Sequence, residues 1–225
     1  NSTPEGRIFG KSVSSTSFME RSADEVRQAL EEFKSNPEVK NIILDLRGNG
    51  GGLLESAVEI VGFFVPKGTE VLRTRGKSKT SEKIYKTTKK PIMPDIPLAI
   101  LIDGASASAS EITAGAMQDL DRAVLIGTRS FGKGLVQQQV PIFDGSEVRI
   151  TIAHYYTPSG RSIQKPYEGG NIEEYEKDIL NRYEHGEFFS SDSIVAGDSI
   201  KYYTRKGRVV YGGGGIMPDY FVPQD

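Results

Sequence analysis

The chain contains no cysteine and no tryptophan among its 225 residues, and it has only two histidines. The lack of cysteine excludes disulfides, thiol nucleophiles and thiolate metal sites, but it says little about the cellular compartment. The histidines, His154 and His185, are too far apart in sequence for a helical His-pair metal motif. We therefore expect no metal and no cofactor.

The chain also lacks a large excess of charge of one sign and any long hydrophobic run. The 28 basic and 30 acidic residues leave a formal net charge of −2, so no basic excess points to nucleic acid. No apolar run approaches the roughly 20 residues of a membrane-spanning helix. Hydrophobic residues make up 37% of the chain and glycines number 25, which is typical of a globular protein.

Apolar strands alternate with amphipathic helices along the chain. Continuous apolar runs at Val39–Leu46, Pro97–Ile102 and Arg122–Ile126 predict buried strands. Apolar spacing predicts a helix from Ser22 to Phe33, with Ser22 and Glu25 as a capping box, and another over Leu53–Phe64. This order predicts an α/β fold with a mostly parallel sheet and flanking helices.

Several further segments extend beyond this alternation. We expect a weak strand within Gly6–Phe18, a strand over Glu70–Arg75, an exposed excursion over Lys77–Lys90 and a late strand at Arg208–Tyr211. Glu147–Tyr155 alternates in polarity, which predicts a strand with Val148, Ile150 and Ile152 on one face. We expect one domain over residues 1–225 with a surface insertion at 165–207, including a helix near Glu173–Tyr183.

A serine-rich turn joins one predicted strand to the helix that follows it. Residues 101–111 read Leu-Ile-Asp-Gly-Ala-Ser-Ala-Ser-Ala-Ser-Glu, which places Ser108 at a helix N-terminus. Unpaired N–H groups and the positive end of the helix dipole favour negative charge there, as acyl transfer requires. Ser108 with Glu111 also fits the capping-box pattern, so this stretch alone favours a cap over a nucleophile.

Two glycine-rich loops resemble nucleotide sites but do not match them. Gly48–Leu53 has leucine where a dinucleotide fingerprint needs its third glycine, and Gly134 stands where a P-loop has Ser or Thr. Glycines 50–52 instead leave backbone N–H groups open to close approach, as in an oxyanion hole. A tight turn that merely needs positive φ explains them equally well.

Lys133 has apolar neighbours and no adjacent carboxylate in the sequence. The default for any single lysine is a solvated position on the surface. Removal of an amine from water disfavours its charged form, so a buried lysine can act as a general base.

Three motifs in this order resemble the carboxyl-terminal processing (tail-specific) proteases, peptidase family S41. They are Leu44–Gly52, the Ser-Ala-Ser-Ala-Ser-Glu run that ends at Glu111, and Phe131–Gln138, and the resemblance covers roughly Gly6 to Pro223. It implies a Clp/crotonase-like core and a Ser–Lys dyad. Family members usually carry a PDZ domain, and no stretch ahead of Asn41 is long enough for one.

The resemblance implies a role for each matching residue. Ser108 takes the nucleophile position and Lys133, 25 residues later, takes the position of the general base. Gln137 matches a residue that orients this lysine in some members. The oxyanion donors would be the N–H of Ala109 and that of Gly51 or Gly52, with Gly52 preferred. Asp119 lies about three helical turns beyond Ser108, and we expect it to be structural.

The implied function is a serine endopeptidase that cleaves proteins near unstructured C-termini, outside the cytoplasm. It needs no cofactor, and oligomerisation is left open. A non-catalytic ligand- or peptide-binding module on the same fold is one alternative. A crotonase-like acyl-CoA enzyme is another, which would need a carboxylate near the acyl group, where Glu111 is the only candidate. An NTPase is the least favoured.

Overall fold

The structure is a computed structural model that describes residues 10–78, 81–166, 172–194 and 200–223, with the backbone alone for residues 172–176. The start of the predicted first strand and parts of the predicted insertion lie outside these residues. In chain order the elements are β1 (Gly10–Ser14), α1 (Ser22–Ser35), β2 (Asn41–Asp45), α2 (Leu54–Gly62), β3 (Glu70–Gly76), β4 (Lys83–Lys86), β5 (Leu98–Ile102), α3 (Ala109–Asp119), β6 (Val124–Gly127), β7 (Leu135–Pro141), β8 (Glu147–Tyr156), α4 (Ile172–Glu184), β9 (Lys201–Tyr203), β10 (Val209–Tyr211) and β11 (Tyr220–Phe221).

Five parallel strands form the central sheet, in the order β1-β2-β5-β6-β11. The predicted α/β fold with a parallel sheet is therefore confirmed. Ile42 and Leu44 of β2 and Ile100 and Ile102 of β5 are buried, which explains why these strands are so apolar.

Helix α3 is buried along its whole length, and it packs against α2 and the β6 strand. Small residues such as Ala114, Gly115 and Ala116 allow this close packing. The N-terminus of α3 follows β5 after a short turn, at the carboxyl edge of the sheet. Ligands bind at this edge in open parallel sheets, so the serine-rich turn lies where a functional site is expected.

A second sheet is antiparallel, with the order β4-β3-β8-β7. The strand predicted over Glu70–Arg75 is β3, and the predicted excursion contributes β4, which pairs with it. The alternation in Glu147–Tyr155 predicts the strand correctly but not its burial, because Val148, Ile150 and Ile152 are between 43% and 48% exposed. Strands β7 and β8 extend beyond the core, so neither face of their outer part is covered by another described element.

The predicted capping box at Ser22 is wrong. The N-cap of α1 is Arg21, and Ser22 is the first helical residue. Its hydroxyl instead donates to the Ser17 carbonyl at 3.0 Å and accepts the Met19 N–H at 2.8 Å. The loop before the helix takes this side chain, which the four-residue pattern could not show.

The predicted helix in the insertion is present as α4. The insertion also contributes β9, which pairs with β10 in an antiparallel hairpin. Several of its side chains are buried rather than exposed: Lys165, Arg182, Glu187 and Phe188. The insertion therefore packs against the core and does not simply lie on it.

We expect truncation of Ile100 to test the importance of the central strand. Ile100 is 0% exposed in the middle of β5, so Ile100→Ala leaves a cavity and should lower the free energy of unfolding by about 2–5 kcal/mol. Ile84→Ala in β4, where the side chain is 43% exposed, should cost less than about 1 kcal/mol. Denaturant unfolding of both variants measures the difference; equal losses would contradict this description of the core.

Candidate active site

Ser108 sits in an unusual backbone conformation at the turn between β5 and α3. Its φ is 55° and its ψ is −111°, which is costly for a residue with a Cβ atom. It is the N-cap of α3, and with Glu111 it forms the predicted capping box. The Ser108 N–H donates to Glu111 Oε2 at 2.9 Å. The cap is therefore real, and the strain indicates that the turn holds Ser108 in a required position.

The three serines of this turn have different hydrogen bonds. The Ser106 hydroxyl donates to the Leu46 carbonyl at 2.7 Å, and the Ser110 hydroxyl donates to the Asn49 carbonyl at 2.9 Å. Both are fully buried, whereas Ser108 is half-buried. Within the described part of the chain, the Ser108 hydroxyl donates no hydrogen bond. Ser108 is thus the serine of this turn whose proton is free for chemistry.

Glu111 is a fully buried carboxylate that accepts four strong hydrogen bonds. Oε1 accepts from the Ser130 hydroxyl and the Gly132 N–H, both at 2.6 Å. Oε2 accepts from the Ser108 N–H and, at 2.8 Å, from the Lys133 N–H. Burial raises the pKa of the Glu111 carboxyl, and these donors act in the opposite direction. With both oxygens occupied, Glu111 is not the free acid or base that an acyl-CoA enzyme would need.

The same Glu111 oxygen brings Ser108 and Lys133 together. Because Oε2 accepts from both backbone N–H groups, the turn before α3 and the loop that carries Lys133 lie side by side. Lys133 is half-buried. The sequence analysis left a solvated and a buried position open, and the observed exposure lies between the two. Among the described residues, no hydrogen bond joins the Lys133 amine to the Ser108 hydroxyl.

The glycine loop lies against the Ser108 turn. A methyl group added to Gly51 would lie 2.6 Å from the Ala107 carbonyl oxygen and 2.8 Å from the Cβ of Ser108. The φ values of Gly51 and Gly52 are 98° and 146°, so both residues need glycine for conformational reasons as well. The predicted tight turn is present, and it packs directly against the Ser108 turn.

The N–H groups of this loop are not equivalent. The Gly51 N–H donates to Asn49 Oδ1 at 2.9 Å and is therefore occupied. Gly52 is exposed and faces Phe18 in an isolated parallel bridge. In this bridge the Gly51 carbonyl accepts the Phe18 N–H, and the Leu53 N–H donates to the Phe18 carbonyl. In the described ranges neither the Gly52 N–H nor the Ala109 N–H has an acceptor. Ala109 lacks one because it is the first residue of α3.

Asn49 is a site residue that the sequence analysis missed. It is fully buried, and its backbone carbonyl accepts from the Ala107 N–H at 3.0 Å and from the Ser110 hydroxyl. Its side chain holds the Gly51 N–H and donates to the Ser15 carbonyl at 2.7 Å. Asn49 therefore fixes the glycine loop to the turn before α3. Its only sequence signal was its position between two glycines.

The model of peptidase family S41 matches residues 12–174, which include the Ser108 turn, the glycine loop and Lys133. The chain belongs to this family. The match includes β2, β5 and β6 of the central sheet, α3 and the loop beside it, and it ends before β11. The fold and the order of the motifs are therefore those of an S41 protease.

Known S41 proteins resemble the chain over part of their length. The carboxy-terminal-processing protease of Bartonella bacilliformis is 42% identical over 150 residues, which is 65% of this chain and 34% of that protein. The carboxy-terminal processing protease CtpB of Bacillus subtilis is 36% identical over 165 residues, covering 72% of this chain and 34% of that protein. The chain thus spans about a third of the curated relatives it matches.

A solved structure, titled photosystem II D1 C-terminal processing protease, is also similar. It superposes with a TM-score of 0.63 at 35% sequence identity, covering 69% of this chain and 39% of that one. The mixed α/β architecture with its mostly parallel sheet is therefore shared with the S41 protease fold.

Gln137, the residue matched to a lysine-orienting position of the family, lies on β7. It is exposed and pairs across to Thr151 of β8. Among the described residues, no hydrogen bond joins its side chain to Lys133.

Asp119 forms a buried ion pair with Arg161. Asp119 Oδ1 lies 2.8 Å from Arg161 Nη2, and both side chains are almost completely buried. Asp119 Oδ2 accepts the Ser159 N–H at 2.9 Å. Burial lowers the pKa of the Arg161 guanidinium, whereas Asp119 raises it. The pair holds the far end of α3 to the turn after β8, which agrees with the structural role expected of Asp119.

Neither a metal centre nor a membrane helix is found in the described ranges. No three His, Cys, Asp or Glu side chains among these residues are grouped so as to bind a metal ion. Similarly, none of the helices described has the length and apolar character needed to cross a bilayer.

We expect Gly51 and Gly50 to respond differently to alanine. Gly51→Ala places a methyl against the backbone of residues 107–109 and requires a left-handed conformation. It should therefore lower the free energy of unfolding by about 1–3 kcal/mol. Gly50 has nothing within 4 Å of a new methyl and no positive φ, so Gly50→Ala should change it by about 0.5 kcal/mol or less. Urea denaturation measures both, and a Gly51→Ala protein as stable as Gly50→Ala would contradict the contact with the Ser108 turn.

Proposed function

We propose that this chain carries serine endopeptidase activity that cleaves protein substrates near their C-termini, with Ser108 as nucleophile and Lys133 as general base. One observation carries the proposal: the strained Ser108 and the loop of Lys133 are both bound to Glu111 Oε2. Membership of the S41 family and relatives that are named carboxy-terminal processing proteases support it.

The proposed reaction is an acyl transfer in two steps. The neutral Lys133 amine takes the proton of the Ser108 hydroxyl while Oγ attacks the scissile carbonyl carbon. The resulting ammonium group then gives this proton to the leaving amine, and the C–N bond breaks. Water, deprotonated by the same amine, attacks the acyl-serine ester and releases the new carboxylate and the free hydroxyl.

The oxyanion would be bound by the N–H groups of Gly52 and Ala109. This assignment is supported by the bond from the Gly51 N–H to Asn49, which removes Gly51 from the candidates. The N-terminus of α3 adds the positive end of its helix dipole at the same place. The glycine loop thus depends on Asn49, which binds the Gly51 N–H and leaves the Gly52 N–H free for the oxyanion.

The substrate would enter along a groove beside Gly52. This groove has a volume of about 730 Å³ and is lined by residues 13–22 together with Glu25, Val26, Gly52 and Leu53. Met19 and Leu53, which are 62% and 43% exposed, supply apolar surface that suits an extended peptide. An unstructured C-terminal segment can adopt that form without unfolding the rest of the substrate.

The family resemblance supplies the remaining parts of the proposal. The core would be of the Clp/crotonase type, forming one catalytic domain that includes the insertion at 165–207. Gln137 would orient Lys133, as the matching residue does in some members of the family. The protein would act outside the cytoplasm, and oligomer formation is compatible with this location.

We expect Ser108→Ala and Lys133→Met each to abolish cleavage of a peptide with an unstructured C-terminus, lowering kcat/KM roughly 10⁴-fold or more. Ser35→Ala is the control, because this exposed serine donates to the Glu32 carbonyl at the end of α1 and takes no part in the proposed site. Mass spectrometry of the products locates the cut and separates endopeptidase from carboxypeptidase activity. Full activity of the Ser108→Ala protein would refute the assignment.

A further inference from the structure

Residues 128–134, here called the lysine loop, have no helix or strand but are held by many backbone hydrogen bonds. The Phe131 N–H donates to the Ser106 carbonyl at 3.0 Å, and the N–H groups of Gly132 and Lys133 donate to Glu111. The Gly132 carbonyl accepts the Lys165 N–H at 3.0 Å. A loop without regular structure must find such partners, because buried backbone groups are costly to leave unpaired.

The carbonyl side of the lysine loop is held by an arginine from the insertion. Arg182, on α4, donates from Nη2 to the Arg129 carbonyl at 2.7 Å and from Nη1 to the Ser130 carbonyl at 3.0 Å. It is 5% exposed. A planar guanidinium holds its donors in a fixed fork that suits two successive carbonyls, whereas the rotatable donors of a lysine ammonium have no such fixed geometry. The loop therefore lies between an anion on its N–H side and a cation on its carbonyl side.

Glu187 joins this arginine to a side chain of the lysine loop. Its carboxylate accepts Arg129 Nε at 2.7 Å, Arg129 Nη2 at 2.6 Å and Arg182 Nε at 2.9 Å. Both Arg182 and Glu187 have side chains that are 4% exposed. Removing three charges from water is unfavourable unless geometry and hydrogen bonding are good, so the cluster favours one arrangement of the loop.

Two further contacts attach the insertion to the site. The Lys165 amine lies 3.0 Å from Asp178 Oδ2 of α4 and 4.2 Å from the centre of the Phe131 ring. Phe188 packs on Gly104 so closely that a methyl there would come within 2.6 Å of its ring. Gly104 belongs to the turn before Ser108, so the insertion contacts both segments of the site.

We propose that Arg182 and Glu187 are positioning residues, through which the insertion sets the place of Lys133 relative to Ser108. The inference rests on the proposed Ser108–Lys133 chemistry. Neither residue hydrogen-bonds to Ser108 or to the Lys133 amine. Arg182 binds the backbone of the lysine loop, and Glu187 binds Arg182 and the side chain of Arg129. Displacement of a reacting group by about 1 Å can slow a reaction by about 100-fold, so a loosened loop should reduce turnover without blocking substrate binding.

The test compares Arg182→Met with Arg122→Met in the full chain. Arg122 is a matched control, because it donates to the carbonyls of Phe64, Met93 and Ile96 in another irregular region. Steady-state kinetics are measured per active site, counted by titration with a fluorophosphonate or by single-turnover burst. We expect Arg182→Met to lower kcat about 10- to 100-fold with KM changed less than about threefold, and Arg122→Met to keep kcat within about twofold.

Glu187→Gln and Arg182→Lys keep the test decisive if Arg182→Met does not fold. Glu187→Gln retains the shape but not the charge of the carboxylate, and Arg182→Lys should recover only part of kcat. Folded variants that turn over at the wild-type rate per active site would overturn the inference, since a purely stabilising contact changes the number of active molecules but not their rate.

Amide hydrogen exchange separates failure of this inference from failure of the proposed function. We expect the amides of residues 129–134 to exchange at least about tenfold faster in Arg182→Met than in Arg122→Met. If the wild-type chain shows no Ser108-dependent cleavage, the proposed function fails, and exchange still tests whether Arg182 holds the lysine loop. If cleavage is present and the exchange and kcat of Arg182→Met match the control, only the positioning role of Arg182 and Glu187 is refuted.

Discussion

The arrangement of this site depends on one buried carboxylate. Glu111 accepts hydrogen bonds from Ser108, Ser130, Gly132 and Lys133, which come from two segments more than one secondary-structure element apart. A buried negative charge is tolerated only when its oxygens are filled by donors. The chain satisfies this requirement by folding the lysine loop back onto the N-terminus of α3, and this brings the proposed nucleophile and base to the same place.

A helix cap and a catalytic serine are not competing explanations for Ser108. The capping box fixes the first turn of α3 and holds the Ser108 N–H, while the Ser108 backbone keeps its strained, left-handed φ of 55°. The unpaired Ala109 N–H and the helix dipole remain available on the same side. Asn49 completes the arrangement, because it occupies the Gly51 N–H and ties the glycine loop to the serine turn.

The insertion supplies side chains that bind the lysine loop. In a parallel α/β core, a loop after a strand is normally held by neighbouring loops of the same edge. Here its carbonyl groups are bound by Arg182, and its own Arg129 is paired with Glu187. Burial also lowers the pKa of Lys165, chiefly by desolvation, while Asp178 opposes the shift. This buried lysine was not distinguished by its sequence neighbours, although Lys133 was.

Local pattern was sufficient for the central strands β2, β5 and β6, the helices and the serine at the start of α3, whereas β7, β9 and β11 were not predicted. Apolar runs and helical spacing report burial directly, and the order of strands and helices restricts the topology. The exposed face of β8, the real N-cap of α1 and the roles of Asn49, Arg182 and Glu187 came only from the tertiary structure. Each depends on which remote segment lies opposite a side chain, and a hydrogen bond across 50 or 60 residues leaves no periodicity in the sequence.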